Sequence, residues 1–181
     1  MITLLILIVL LYAFYMGVRR GIALQSIHTI GALLSFVFAN AFYETVAKKI
    51  ELLVPYLSVT PDTKMVFYNL EEAFDLDKMY YAGVAYIGLF AIGWLVTKFI
   101  AIFFHEWRFK VPFAYQGVVA GMINLLLVYT MFLMGFIVLS TIPLNMVQQL
   151  FEKSALTTFM VEKTPILSHL FHELWTVGMT H

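Results

Sequence analysis

Gly17-Val18-Arg19-Arg20-Gly21 separates two apolar runs and carries the first charges of the chain. Residues 2–18 (up to the arginine pair) and 22–42 contain no charged side chain. An arginine at the centre of a bilayer costs roughly 2.5–3.5 kcal/mol on the insertion scale, so two in succession mark a place where the chain meets water. Glycine at both ends relaxes the backbone restrictions that a Cβ imposes. Gly17, Arg19, Arg20 and Gly21 therefore predict a membrane-surface hairpin with an apolar helix on each side.

Composition widens that reading. The 181 residues are 62% hydrophobic and 12% charged and include 17 Phe, and mean hydropathy is +0.89. A soluble domain of this size is far more polar, so an integral membrane protein is expected. The absence of Cys excludes disulfides, thiolate metal sites and cysteine nucleophiles. Eleven basic residues balance eleven acidic ones, which leaves no basic surface for nucleic acid.

A first helix over about 2–18 would reach roughly 25 Å, enough to span. Its start has no basic n-region and no small-residue cleavage site, so it is expected to remain in the mature protein. Tyr12, Phe14 and Tyr15 form an interfacial aromatic anchor beside the arginines. In the second helix, 22–42, the residues Gln25, His28, Ala32, Ser35 and Ala39 fall on one side, and Gly31, Ser35 and Ala39 make a small-xxx-small packing stripe. His28 is ionisable inside a membrane and, with Gln25, forms a candidate polar path. The competing reading is a neutral interhelical hydrogen bond near the interface.

Residues 43–78 form a loop with four lysines against seven acids. Phe42, Val46, Ile50 and Leu53 recur at helical spacing, so the second helix is expected to continue as an amphipathic segment until Pro55. Asp62, Glu71, Glu72, Asp75 and Asp77 match no EF-hand spacing and read as a solvated charged face. The third helix, 79–104, carries Gly83, Gly88 and Gly93, which permit close contacts but do not share a face. Lys98 lies close enough to its end to snorkel. The following basic loop, His105 to Lys110, holds Trp107 as a belt residue.

A fourth span, 113–142, lies between Pro112 and Pro143 and is long enough that it must tilt, bend or begin along the surface. Gly117 and Gly121 are a helix-packing pair, and Asn124 on the same face is expected to bond a neighbouring helix. In the tail, Leu144, Val147, Phe151, Ala155 and Phe159, then Leu167, Leu170, Phe171, Leu174 and Trp175, predict two amphipathic helices divided at Thr164-Pro165, with Thr164 as an N-cap. His169, His172 and Glu173 share a polar face there but lack a fourth ligand for zinc. No metal or other cofactor is expected.

The expected fold is all-α. A membrane domain, 1–142, holds four transmembrane helices (2–18, 22–42, 79–104, 113–142) and an amphipathic extracytoplasmic segment in the loop 43–78; a tail, 143–181, holds a pair of amphipathic helices. Arg19, Arg20, Lys98, Arg108 and Lys110 set sidedness by the positive-inside rule, which places both termini outside the cytoplasm.

The opening run with GVRRGIALQSIHTIG, the segment QGVVAGMINLLL and the tail SALTTFMVEKTPILSHLFHELW together resemble the colicin V production (CvpA) family, in the short form of Bacillus-type bacteria. The strongest pieces are Arg19 and Arg20 between glycines, Gly117 with Gly121, and Ser154 followed by Thr164-Pro165. The resemblance implies a four-helix protein of the bacterial cell membrane that, in some enteric relatives, is needed to make or export the toxin colicin V. Some relatives join this module to an extracytoplasmic serine protease, and no such domain is expected here.

No GxSxG, HExxH, Walker or Rossmann pattern is present, so no enzyme activity is expected. The leading expectation is a membrane accessory or scaffold protein that serves export or the cell envelope, partnered by the bilayer and by its own copies or another membrane protein. The alternative is a small oligomeric channel or transporter lined by Gln25, His28, Ser35 and Asn124.

Overall fold

A computed structural model describes residues 2–57, 64–69, 76–104, 106 and 114–177. The described residues form six helices: α1 (Ile2–Glu51), α2 (Leu76–Phe103), α3 (Ala114–Ser140), α4 (Asn145–Glu152), α5 (Ala155–Lys163) and α6 (Leu167–Val177). The first three are long and apolar enough to cross a membrane. Their outward sides present large apolar residues such as Leu11, Leu34, Val37, Leu95 and Phe103, the surface that hydrocarbon tolerates and water does not.

The predicted hairpin takes a narrower form than the sequence implied. Gly17, Val18, Arg19 and Arg20 are all helical, and inside α1 only Gly21 leaves helical geometry, at φ 72° and ψ 169°. That left-handed φ is open to glycine and costly to a residue with a Cβ, so one glycine redirects the chain. The 50 residues of α1 would measure about 75 Å if straight, against a hydrocarbon core of roughly 30 Å. Gly17 serves another purpose, described below.

The chain divides into two compact units. One comprises Thr3–Asn40 and Gly88–Met131, the other Ala41–Ile87 and Phe132–His181. In the first unit small residues bring helices together. A Cβ on Gly31 would overlap Thr97 of α2, and a Cβ on Gly93 would lie 2.5 Å from the Ser35 Oγ. Ala32 is fully buried beside these positions. Gly88, by contrast, faces open space.

The second unit is built from aromatics and hydrogen-bonded chain ends. Trp175 of α6 is fully buried against the rings of Tyr86 and Phe171, with centroids at 5.8 and 5.4 Å, and Gly83 leaves the room it occupies. Tyr43 donates to the Leu174 carbonyl at 3.0 Å. The end of α3 exposes carbonyls that no helical N–H reaches. Gln148 of α4 closes it, donating to the carbonyls of Ser140 at 3.2 Å and Ile142 at 2.9 Å. The Gln148 Oε1 in turn accepts from Val66 N at 3.0 Å. Tyr56 donates to the Thr141 carbonyl, and burial, first among its causes, pushes its phenol pKa up so that the proton stays in place.

Beyond Phe42, α1 runs on to Glu51, with Tyr43 and Ala47 buried and Phe42 exposed. Two expectations change here. The tail contains three helices rather than two. A break at Lys153-Ser154 divides the first, and Ser154 caps α5 by accepting from Thr157 N at 3.4 Å. Thr164 is the C-cap of α5 rather than an N-cap, donating to the Met160 carbonyl at 2.7 Å. Pro165 then lies in the turn before α6, where Ile166 has φ 69°, a left-handed value that a β-branched residue resists.

Candidate functional site

Within the first unit, α3 packs on the part of α1 just before the bend. A Cβ on Gly17 would lie 2.6 Å from the Ala120 carbonyl oxygen and 2.8 Å from Gly121 Cα, both backbone atoms. A Cβ on Gly121 would lie 2.8 Å from Phe14 and Val18. Gly117 faces Val18 with more room, at 3.4 Å. Gly17 and Gly121 therefore let two backbones approach as closely as lipid-embedded helices do. The approach delivers Asn124 into the angle of the bend.

Asn124 is almost wholly buried and fully engaged. Its Nδ2 donates to the Ala13 carbonyl at 2.6 Å. Its Oδ1 accepts from Gln25 Nε2 at 3.3 Å and from the Arg20 guanidinium at 3.2 Å. Arg20 also donates to Gln25 Oε1 at 3.5 Å. Ala13 and Gln25 would be separated by about 18 Å of axial rise on a straight helix, yet one carboxamide reaches both. The helix is therefore broken at Gly21, and Asn124 fastens the segments on either side of it. A carbonyl already spent in the helix still has a second lone pair to accept with.

Arg19, by contrast, is exposed and lies with its guanidinium carbon 5.8 Å from the Tyr15 ring centroid. The paired arginines thus have different surroundings. Ser35 donates to the Gly31 carbonyl at 2.7 Å and packs on Gly93, so it lies apart from Asn124. Ala39 is fully buried. Among the candidates, Gln25, Arg20 and Asn124 come together, while Ser35 belongs to the α1–α2 packing.

His28 is 4% exposed, and its Nδ1 has no hydrogen-bond partner among the described residues. Its ring lies 5.8 Å from that of Trp94, and Lys98 Nζ lies 4.9 Å over the same Trp94 ring. His28, Arg20 and Lys98 line one cleft of about 200 Å³, whose other walls include Met16, Leu24 and Ala101. Sequence reasoning placed Lys98 at the interface and His28 in a polar path. It did not bring them together with Arg20, because sequence spacing shows no contact between α1 and α2.

In the second unit, His169 is exposed and pairs with Glu173 at 3.4 Å, a surface contact of small energetic weight. His172 turns instead toward Tyr68, with ring centroids 6.2 Å apart. Burial first, then the charge of His169, holds the His172 pKa below its ordinary 6.5. Among the described residues no three His, Asp or Glu side chains converge as metal ligands. Of the acidic loop residues, Asp62, Glu71, Glu72 and Asp75 lie outside the described residues, as do Trp107, Arg108 and Lys110.

A family profile described as Colicin V production protein matches residues 2–165. The chain is 32% identical over 180 residues to a Bacillus subtilis (strain 168) protein called "Uncharacterized transmembrane protein YshB", covering 97% of this chain and 98% of that one. No solved structure matches the chain.

Proposed function

The chain belongs to the colicin V production protein family, and from that premise we propose that it is a non-enzymatic accessory or scaffold protein of the bacterial cell membrane, serving export or a cell-envelope process. It is a multi-pass membrane protein, embedded in the bilayer through its long apolar helices. In this reading α1 crosses the bilayer twice, once on each side of Gly21, for four passes in all. The basic residues around that bend, with Lys98, Arg108 and Lys110, face the cytoplasm by the positive-inside rule, and both termini lie outside.

One observation carries the accessory role: Asn124, Gln25 and Arg20 bond to each other and to the Ala13 backbone. Polar side chains engaged in this way hold a bundle together; they do not line a passage. The short helices and the turn before α6 meanwhile present Met146, Phe159 and Ile166, exposed at 81%, 49% and 79%. Apolar residues left outward on such helices suit a lipid surface or a membrane partner.

Photo-crosslinking residues placed at Phe159 and Ile166 in native membranes test the reading. Reproducible adducts with an export or envelope component are expected. Adducts only between copies of this chain, together with solute flux in liposomes that His28→Ala abolishes, would replace it with the oligomeric channel.

A further inference from the structure

We propose that a second copy of this chain seats the ridge formed by Leu4, Ile8 and Leu11 in the apolar groove that runs between α1 and α2 within the first unit. The inference rests on α1 crossing the bilayer twice and is separate from the accessory role. The groove holds about 510 Å³, with Gly31 and Ser35 of α1 and Gly93 and Thr97 of α2 along its floor and the exposed Leu34 and Val96 on its rims. The Ser35 hydroxyl donates to the Gly31 carbonyl at 2.7 Å and the Thr97 hydroxyl to the Gly93 carbonyl at 3.0 Å. Both hydroxyls are thereby spent inside their own helices, so the groove suits an apolar occupant of matching shape rather than a polar solute.

Depth selects the occupant. Leu4, Ile8 and Leu11 share one face of the first arm of α1 and are exposed at 66%, 56% and 68%. They precede Gly21 by 17, 13 and 10 residues, and Phe38, Leu34 and Gly31 of the groove follow it by the same 17, 13 and 10. At about 1.5 Å per residue, both stretches cover the zone from about 15 to about 26 Å from the bend. Copies inserted in one orientation are related by rotation about the membrane normal, which changes no depth, so only surfaces at equal depth can meet. The ridge and the groove satisfy that condition. An acyl chain would lose many torsions in following a groove of fixed shape, whereas a helix arrives ordered and frees the lipid it displaces.

The chain contains no cysteine, so introduced thiols report the contact in the full-length protein. Copies carrying Ile8→Cys, co-expressed with copies carrying Leu34→Cys and oxidised in native membranes, are expected to form a disulfide-linked pair, which requires Cα atoms within about 7 Å. Leu4→Cys with Ile27→Cys, mismatched in depth by about 16 Å, gives none. In liposomes, energy transfer between labelled copies falls for the double variant Ile8→Ala/Leu11→Ala as its dissociation constant rises about tenfold, the effect of losing roughly ten close carbon contacts. A monomer in lipid, cross-links equal in the matched and mismatched pairs, or a groove that a photoactivatable phospholipid acyl chain labels in place of a second copy overturns the proposal. A thiol reagent applied from one side tests the passes of α1 separately. Labelling of Thr3→Cys and Asn40→Cys but not Arg19→Cys shows two crossings, and that pattern without the Ile8–Leu34 link strikes the docking alone. Any other pattern removes both.

Discussion

The two units hold together by opposite means. Thr3–Asn40 with Gly88–Met131 relies on side chains that are nearly absent, Gly17, Gly31, Gly93 and Gly121, and on the buried carboxamides of Asn124 and Gln25. Ala41–Ile87 with Phe132–His181 relies on bulk, with Trp175, Phe151 and Met160 almost wholly buried, and on side chains that finish helix ends. In lipid, removing apolar surface from its surroundings contributes little, so close backbone approach supplies the contact energy. Where short helices return along the chain, large side chains fill the gaps and buried carbonyls need partners.

Substitutions should separate these two modes. The largest effect is expected for Trp175→Ala, which empties the centre of the aromatic unit and should cost about 3–5 kcal/mol in equilibrium unfolding. A loss under 1 kcal/mol would mean that the aromatics decorate that unit without supporting it. Next comes Gly17→Ala, for which the added methyl meets backbone that cannot yield. A cost of about 1–3 kcal/mol, far above the usual stabilising effect of Gly→Ala in a helix, is expected by the same measurement.

The two left-handed residues give a contrast of sign. Gly21→Ala should destabilise by about 1–2 kcal/mol, because a Cβ resists that conformation. Ile166→Gly should stabilise slightly, by roughly 0.5–1 kcal/mol once the added freedom of the unfolded chain is subtracted. Equal signs in thermal melts would remove the bend at Gly21, or the turn at Ile166, from the account.

The smallest effect concerns pH. His172 has a folded pKa below its ordinary 6.5, so the unfolded chain takes up the proton first on acidification. Its contribution to stability is complete above about 6.5 and declines as pH falls from there toward the folded value. Melting midpoints of the wild type should therefore fall more between pH 7 and pH 5 than those of His172→Gln. Identical pH profiles would show that His172 is not buried in the neutral form.

Much of this was legible in the order of residues. The charge-free runs, the arginine pair and the Gly117/Gly121 spacing point to membrane helices and to a packing seam, and the seam does form around Gly121. That Tyr43 and Ala47 form the buried side of α1 beyond Phe42 was not legible, because Val46 and Ile50 resemble both core and lipid-facing residues. Gln148 drew no notice, since nothing in its neighbours says that the Ser140 and Ile142 carbonyls come within its reach. The split of the tail at Ser154 was equally hidden: a serine can cap a helix or sit within one until its neighbours are placed.

Hydrophobic length and the cost of burying charge act on the chain locally, so the string of residues alone settles that this is a helical membrane protein. Which glycine bends and which one packs, and that Arg20, His28 and Lys98 share a cleft, depends on distances between segments far apart in the chain. In a bilayer the inward and outward sides of a helix are alike in polarity, so those distances could be decided only by the three-dimensional fit of the helices.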